Sequence, residues 1–167
     1  MFIYHGSNIA VEKPILMEQT RGLDFGPGFY LTTNETQAVR FAEIVKNRRK
    51  SGIATVTVYS FDINSAKNKL SICRFKRADP NWLRFVAENR LKTYAGTAYD
   101  IVIGAVANDT VMPTIQAFLG GFLSEEATLI TLKTSKLTDQ LCFKTDKALS
   151  LLQFVKSYTT PGDGDYE

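Results

Sequence analysis

"FGPGFYLTTNETQAVRFAEIV", residues 25–45, contains a turn, a strand and a helix start in one unbroken run. Gly26 and Gly28 flank Pro27 and allow a tight backbone path, and the aromatic and β-branched residues that follow suit a strand over 29–32. Asn34 then stands where a helix N-cap belongs, with Gln37 at the reciprocal capping-box position. Ala38, Phe41, Ala42 and Val45 follow at helical spacing, so the pattern predicts a helix over about 35–49, with Phe41 on its buried face. The helix ends in the basic run 46–50, "KNRRK", which complements the negative end of the helix dipole.

Outward from this run, the pattern stays mixed. Residues 2–5, "FIYH", read as a short strand, and 6–23 as an open loop. Strands are expected over 54–62 and 69–75, a helix opens at Pro80 with Trp82, Phe85 and Val86 as core, and 99–107 has the continuous apolar character of a buried strand. Pro113 and Ser124 open two further helices, the first stopped by Gly120 and Gly121. A strand over 139–145 and a final amphipathic helix capped by Thr145 complete the reading. Strands and helices do not alternate as βαβ units, so the fold class is α+β, one domain over 1–155 with an acidic, Gly-containing flexible tail over 156–167.

The chain has 167 residues, 44% hydrophobic, enough for one core with a cleft beside it. Net charge is +3 with both signs interspersed, which neither demands nor excludes an anionic partner. No apolar run reaches the roughly 20 residues a membrane helix needs, and no signal peptide is visible, so a cytoplasmic location without membrane contact is expected. Cys73 and Cys142 sit in apolar strands and read as free, buried thiols. One histidine and two separated cysteines cannot build the usual zinc site, and no metal is expected. Neither a P-loop nor a dinucleotide GxGxxG motif is present. His5, the only histidine, is followed at once by Gly6 and Ser7. Any imidazole chemistry has to come from it.

"YHGS" on the first strand, followed about twenty residues later by "FGPGFYLTTNETQAVRFA", resembles the NAD-binding core of the ADP-ribosyltransferase superfamily. The likeness is to its His-Tyr branch, which includes the diphtheria-toxin-like and poly-ADP-ribose polymerase enzymes. Gly26, Gly28, Tyr30 and Phe41, the last eleven residues beyond the tyrosine, occupy the branch's motif positions. Over residues 2–155 the chain is also similar to a bacterial family of that superfamily, whose members are thought to be toxins of toxin-antitoxin pairs. The resemblance implies a split β-sheet sandwich with flanking helices. It also implies an enzyme that cleaves the nicotinamide glycosidic bond of NAD, its substrate, and transfers ADP-ribose to a protein or nucleic acid, with a small antitoxin protein as partner.

The same resemblance implies residue roles. His5 would hold the ribose, Gly6 would offer its backbone to the nicotinamide carboxamide, and Tyr30 and Phe41 would enclose the ring. Ser7 and Thr32 would donate hydrogen bonds in the cleft. Where many members carry a glutamate, the matching stretch "DQLCF" has Gln140, which can orient a hydroxyl but brings no charge. Negative charge at the developing cation would then come from elsewhere, for example Asp109 or Asp139, or be given up. Two other readings stand beside this one. The chain could be an NAD- or ADP-ribose-binding module without transfer, or an RNA phosphotransferase of the same fold, for which the basic run 46–50 is the one encouragement.

Overall fold

A computed structural model describes residues 1–18, 21–106, 111–133 and 137–160. These hold two sheets and six helices in a mixed α and β arrangement. The first sheet has the order β1-β3-β7, all antiparallel, from β1 (Phe2–Ser7), β3 (Thr55–Ser60) and β7 (Gln153–Thr159). The second has the order β2-β6-β5-β4, from β2 (Phe29–Leu31), β6 (Asp139–Phe143), β5 (Ile101–Ala105) and β4 (Ile72–Arg74). Its β4–β5 pair is parallel, and the connection between the two strands carries the crossover helix α3 (Pro80–Arg90).

Side-chain alternation sorts the apolar residues into three layers. Ile3 of β1, Phe29 and Leu31 of β2, Tyr59 of β3, Ile101 and Ile103 of β5, and Leu141 and Phe143 of β6 meet between the sheets. On the outer face of the first sheet, Val56 and Val58 pack on Ala38 and Ala42 of α1 (Glu35–Arg49). Beyond the second sheet, Val102 and Cys142 face Trp82, Leu83 and Val86 of α3, Ile115 of α4 (Met112–Leu119) and Leu132 of α5 (Glu125–Lys133). Trp82 is fully buried and its indole N–H donates to the Ala105 carbonyl at 3.1 Å, which ties α3 to the end of β5.

Helix α1 forms as its caps dictate. The Asn34 side chain accepts from the Gln37 amide at 3.0 Å, and Lys50 closes the helix in the left-handed region at φ 51°. Only small residues and Val45 lie on its buried face, whereas Phe41 is 45% exposed, so its expected place in the core is corrected. Close approach of α1 to β1 explains the difference: a Cβ at Gly6 would lie 2.1 Å from the Ala38 carbonyl oxygen, too near for a bulky side chain between them.

The expected final amphipathic helix is also corrected. Thr145 does cap a helix, accepting from the Ala148 amide at 3.2 Å, but α6 covers only Asp146–Leu149. Residues 153–159, rich in β-branched and aromatic side chains, instead form β7 along β3 and satisfy that strand's free edge. The domain therefore runs through the boundary expected at 155: Thr160 donates its amide to the Ala54 carbonyl at 2.8 Å, and its hydroxyl meets Glu43. One short helix, α2 (Ile63–Lys67), had no expected counterpart; the Asp62 carboxylate caps it through the Asn64 and Ser65 amides. Among the described residues both cysteines are free thiols, and no helix is long and apolar enough to cross a membrane.

Ending the chain at Val155 removes the part of β7 that pairs with Thr55–Val58. Thermal melting of that variant is expected to fall by several degrees relative to a chain ending at Thr160, consistent with losing roughly 2 kcal/mol or more of pairing and burial. Equal melting temperatures would contradict the role given to β7.

Candidate functional site

The two sheets touch at one bridge, where Tyr4 and Thr32 exchange backbone hydrogen bonds of 2.9 and 3.0 Å. In an antiparallel strand successive residues point their N–H and C=O groups to opposite edges. Tyr4 faces β2, so Gly6 faces the same edge, away from β3, and the register that sets Tyr4 against Thr32 sets Gly6 against Tyr30. That second bridge does not form. Instead the His5 ring takes the Tyr30 carbonyl, its Nδ1 lying 2.8 Å from the oxygen, and stacks on Phe29 at 4.3 Å between ring centroids. The imidazole thereby stands between the strands, and neither the N–H nor the C=O of Gly6 takes a partner outside the β1–β3 ladder among the described residues. Gly6 is buried beneath α1, and its unpaired donor and acceptor, side by side on the strand edge, match a planar carboxamide in kind.

A carbonyl can only accept, so Nδ1 carries the hydrogen and Nε2 is left as an acceptor. Burial is the main cause that lowers the His5 pKa from 6.5 to about 4, with the hydrogen bond to Tyr30 opposing and the charge of Arg49 assisting. The ring is neutral near pH 7, and its Nε2 can accept a hydrogen bond from a hydroxyl.

The 23–28 loop is pinned by the next layer. Tyr30's hydroxyl donates to the Gly26 carbonyl at 2.6 Å and accepts from the Phe25 amide at 3.1 Å. Burial raises its pKa well above the usual phenol value. Lys144 donates to the carbonyls of Phe25 and Pro27. Gly28 is required for close packing, because a Cβ there would lie 2.4 Å from the Cys142 sulfur.

Other expected site residues serve as joints. Thr32 is buried, and its hydroxyl lies 2.9 Å from the Asp139 carbonyl and 3.0 Å from Gln37 while accepting from the Asn34 amide. Asp139's carboxylate accepts from the Thr33 hydroxyl at 2.7 Å and the Thr33 amide at 3.2 Å, which anchors the start of β6 to the end of β2. Ser7 is buried beside Asn8, whose side chain bridges Ser51 and Arg49 at the end of α1. Phe41 projects from the turn of α1 whose Ala38 and Ala42 backbone abuts Gly6. Asp109 lies outside the described residues.

Gln140 is buried on the Cys142 face of β6, opposite in side-chain direction to Leu141. Its Nε2 donates to Asp24 Oδ2 at 3.1 Å, and Arg90 at the end of α3 holds the other oxygen of Asp24 through Nε at 2.6 Å and through Nη2. Asp24, Arg90 and Phe29 had no place among the expected site residues. Asp24 directly precedes the Phe-Gly-Pro-Gly turn, which is the one sequence signal that marks it; Arg90 reads as an ordinary last-turn cation. A groove of about 1180 Å³ is edged by Arg74, Arg77, Glu126, Lys133 and by Asp139, the residue that joins β6 to the end of β2. It includes neither His5 nor Tyr30.

With the folded pKa near 4 and the unfolded value at 6.5, the unfolded chain binds a proton over this window that the native chain does not. His5 therefore withdraws stability as pH falls from 6.5 toward 4, at up to about 1.4 kcal/mol per pH unit, and has no effect above pH 7. His5→Asn keeps a donor for Tyr30 without titrating there, and urea melts at pH 7, 6 and 5 are expected to show a shallower decline for it. Parallel declines in the two proteins would contradict the assignment.

No curated protein and no solved structure matches the chain. A family model described as "Protein of unknown function (DUF3990)" matches residues 1–154. The chain belongs to the DUF3990 family.

Proposed function

We propose that the protein is an NAD-dependent ADP-ribosyltransferase of split-sheet fold, cleaving the nicotinamide glycosidic bond and passing ADP-ribose to a macromolecule. The observation that carries this reading is the unpaired backbone of Gly6 on β1 beside a neutral His5 whose Nε2 is an acceptor. The Gly6 N–H donates to the carboxamide oxygen of nicotinamide and its C=O accepts from the carboxamide NH2, while Nε2 accepts from a ribose hydroxyl. Phe41, exposed on the helix that abuts Gly6, offers an aromatic face to the ring. Gln140 orients the ribose as the nicotinamide leaves and the anomeric carbon becomes cation-like. The acceptor is a protein or nucleic acid group, and a toxin role with a small antitoxin partner in the cytoplasm follows from the sequence resemblance.

A second reading, binding of NAD or ADP-ribose without transfer, draws on the neutrality of Gln140 and its engagement with Asp24. Incubation of the purified protein with labelled NAD and bacterial lysate separates the two. Transfer predicts free nicotinamide and a labelled macromolecule, with the rate falling by about 100-fold or more in His5→Ala and Gln140→Ala. Binding without release of nicotinamide favours the second reading, and neither binding nor release overturns both. Expression in a bacterial host is expected to arrest growth for the wild type and not for His5→Ala; normal growth with soluble wild-type protein contradicts the toxin role.

A further inference from the structure

We propose that Asp24 is a positioning residue that fixes the Gln140 amide with its oxygen toward the ligand, an inference that rests on the transferase reading above. Asp24 is buried and, when ionised beside Arg90, only accepts hydrogen bonds, so the amide end of Gln140 that meets it has to be Nε2. Oε1 is thereby turned away. It takes no hydrogen bond from any described residue, and among the described residues no fully buried side-chain nitrogen or oxygen lacks a partner, so Oε1 keeps some exposure although Gln140 as a whole is buried. One end of the amide is committed to Asp24 and the other is left as an acceptor with no partner among the described residues.

The same geometry explains why glutamine stands at this position. A glutamate at 140 would bring a second carboxylate to about 3 Å from Asp24, and two such groups cannot both ionise comfortably. Asp24 and Gln140 are thus a matched pair, with Arg90 holding the aspartate from the opposite side. Hydrogen bonding to an anion also polarises the amide and strengthens Oε1 as an acceptor.

The pair is tested by exchanging its polarity. In Asp24→Asn, Arg90 keeps the remaining oxygen on its own side, so the Asn NH2 faces Gln140 and takes Oε1, turning the amide over and removing its acceptor from the ligand side. Nicotinamide release from NAD is expected to fall about tenfold in kcat with little change in KM. Asp24→Asn combined with Gln140→Glu restores a donor facing an acceptor, and the rate is expected to recover to at least the wild-type value. Circular dichroism and melting confirm which variants fold. A folded Asp24→Asn at wild-type kcat, or a folded double variant no faster than Asp24→Asn, overturns the proposal. Should the double variant not fold, the side-chain amide of Gln140 in 15N-edited spectra of the wild type decides. A fixed pair gives one proton shifted and protected from exchange, lost in Asp24→Asn, whereas an ordinary fast-exchanging amide overturns the proposal. Wild-type protein that releases no nicotinamide overturns the transferase reading instead, and the amide spectrum still decides the orientation.

Discussion

The hydrogen bond from His5 Nδ1 to the Tyr30 carbonyl is the interaction on which the arrangement of the two sheets depends. Strands β1 and β2 have the register and the backbone groups to continue pairing beyond Tyr4 and Thr32, and continued pairing would satisfy Gly6 against Tyr30. By occupying the carbonyl with a side chain, the chain satisfies Tyr30 and leaves Gly6 unpaired. An unpaired donor and acceptor cost stability unless water or a ligand meets them, and here the unpaired edge has its cause in the contact of His5 with Tyr30. The ring must be neutral to sit there. A charged imidazole would lose solvation against Phe29 and be repelled by Arg49, in keeping with the lowered pKa of His5.

Glycine appears where backbone has to approach something closely. Gly6 lets α1 lie against β1, and Gly28 lets the turn lie against β6. The turn itself is held at three points: the Tyr30 hydroxyl, the Lys144 ammonium, and Arg90 through Asp24. These anchors come from β2, from the end of β6 and from α3, so the position of Asp24 next to Gln140 is set by the packing of the second sheet rather than by local loop preference.

Most of the fold is legible in the sequence because it is governed by local rules. The Asn34 cap, the Pro80 helix start and the apolar run of β5 each carry their own signal, and each element forms within a few residues of its expected span. The misreadings share a non-local cause. Residues 153–159 form a strand because β3 has an edge to satisfy, which nothing in residues 146–155 discloses. Phe41 is exposed because Gly6 draws the helix too close for a ring, a consequence of a residue 35 positions earlier in the chain. In the candidate site, His5 and Gly6 are marked by one motif, whereas Asp24 and Arg90 are not, since Asp24 meets Gln140 across 116 residues of chain and Arg90 meets Asp24 across 66.

The central claim of the proposal is that the unpaired backbone of Gly6 receives a carboxamide beside His5. Amide 1H–15N spectra recorded during titration with NAD test it most directly. The account predicts a downfield shift and slowed exchange of the Gly6 amide, accompanied by a shift of the His5 ring signals and reproduced by nicotinamide alone. Binding of NAD that leaves the Gly6 amide unmoved would contradict it.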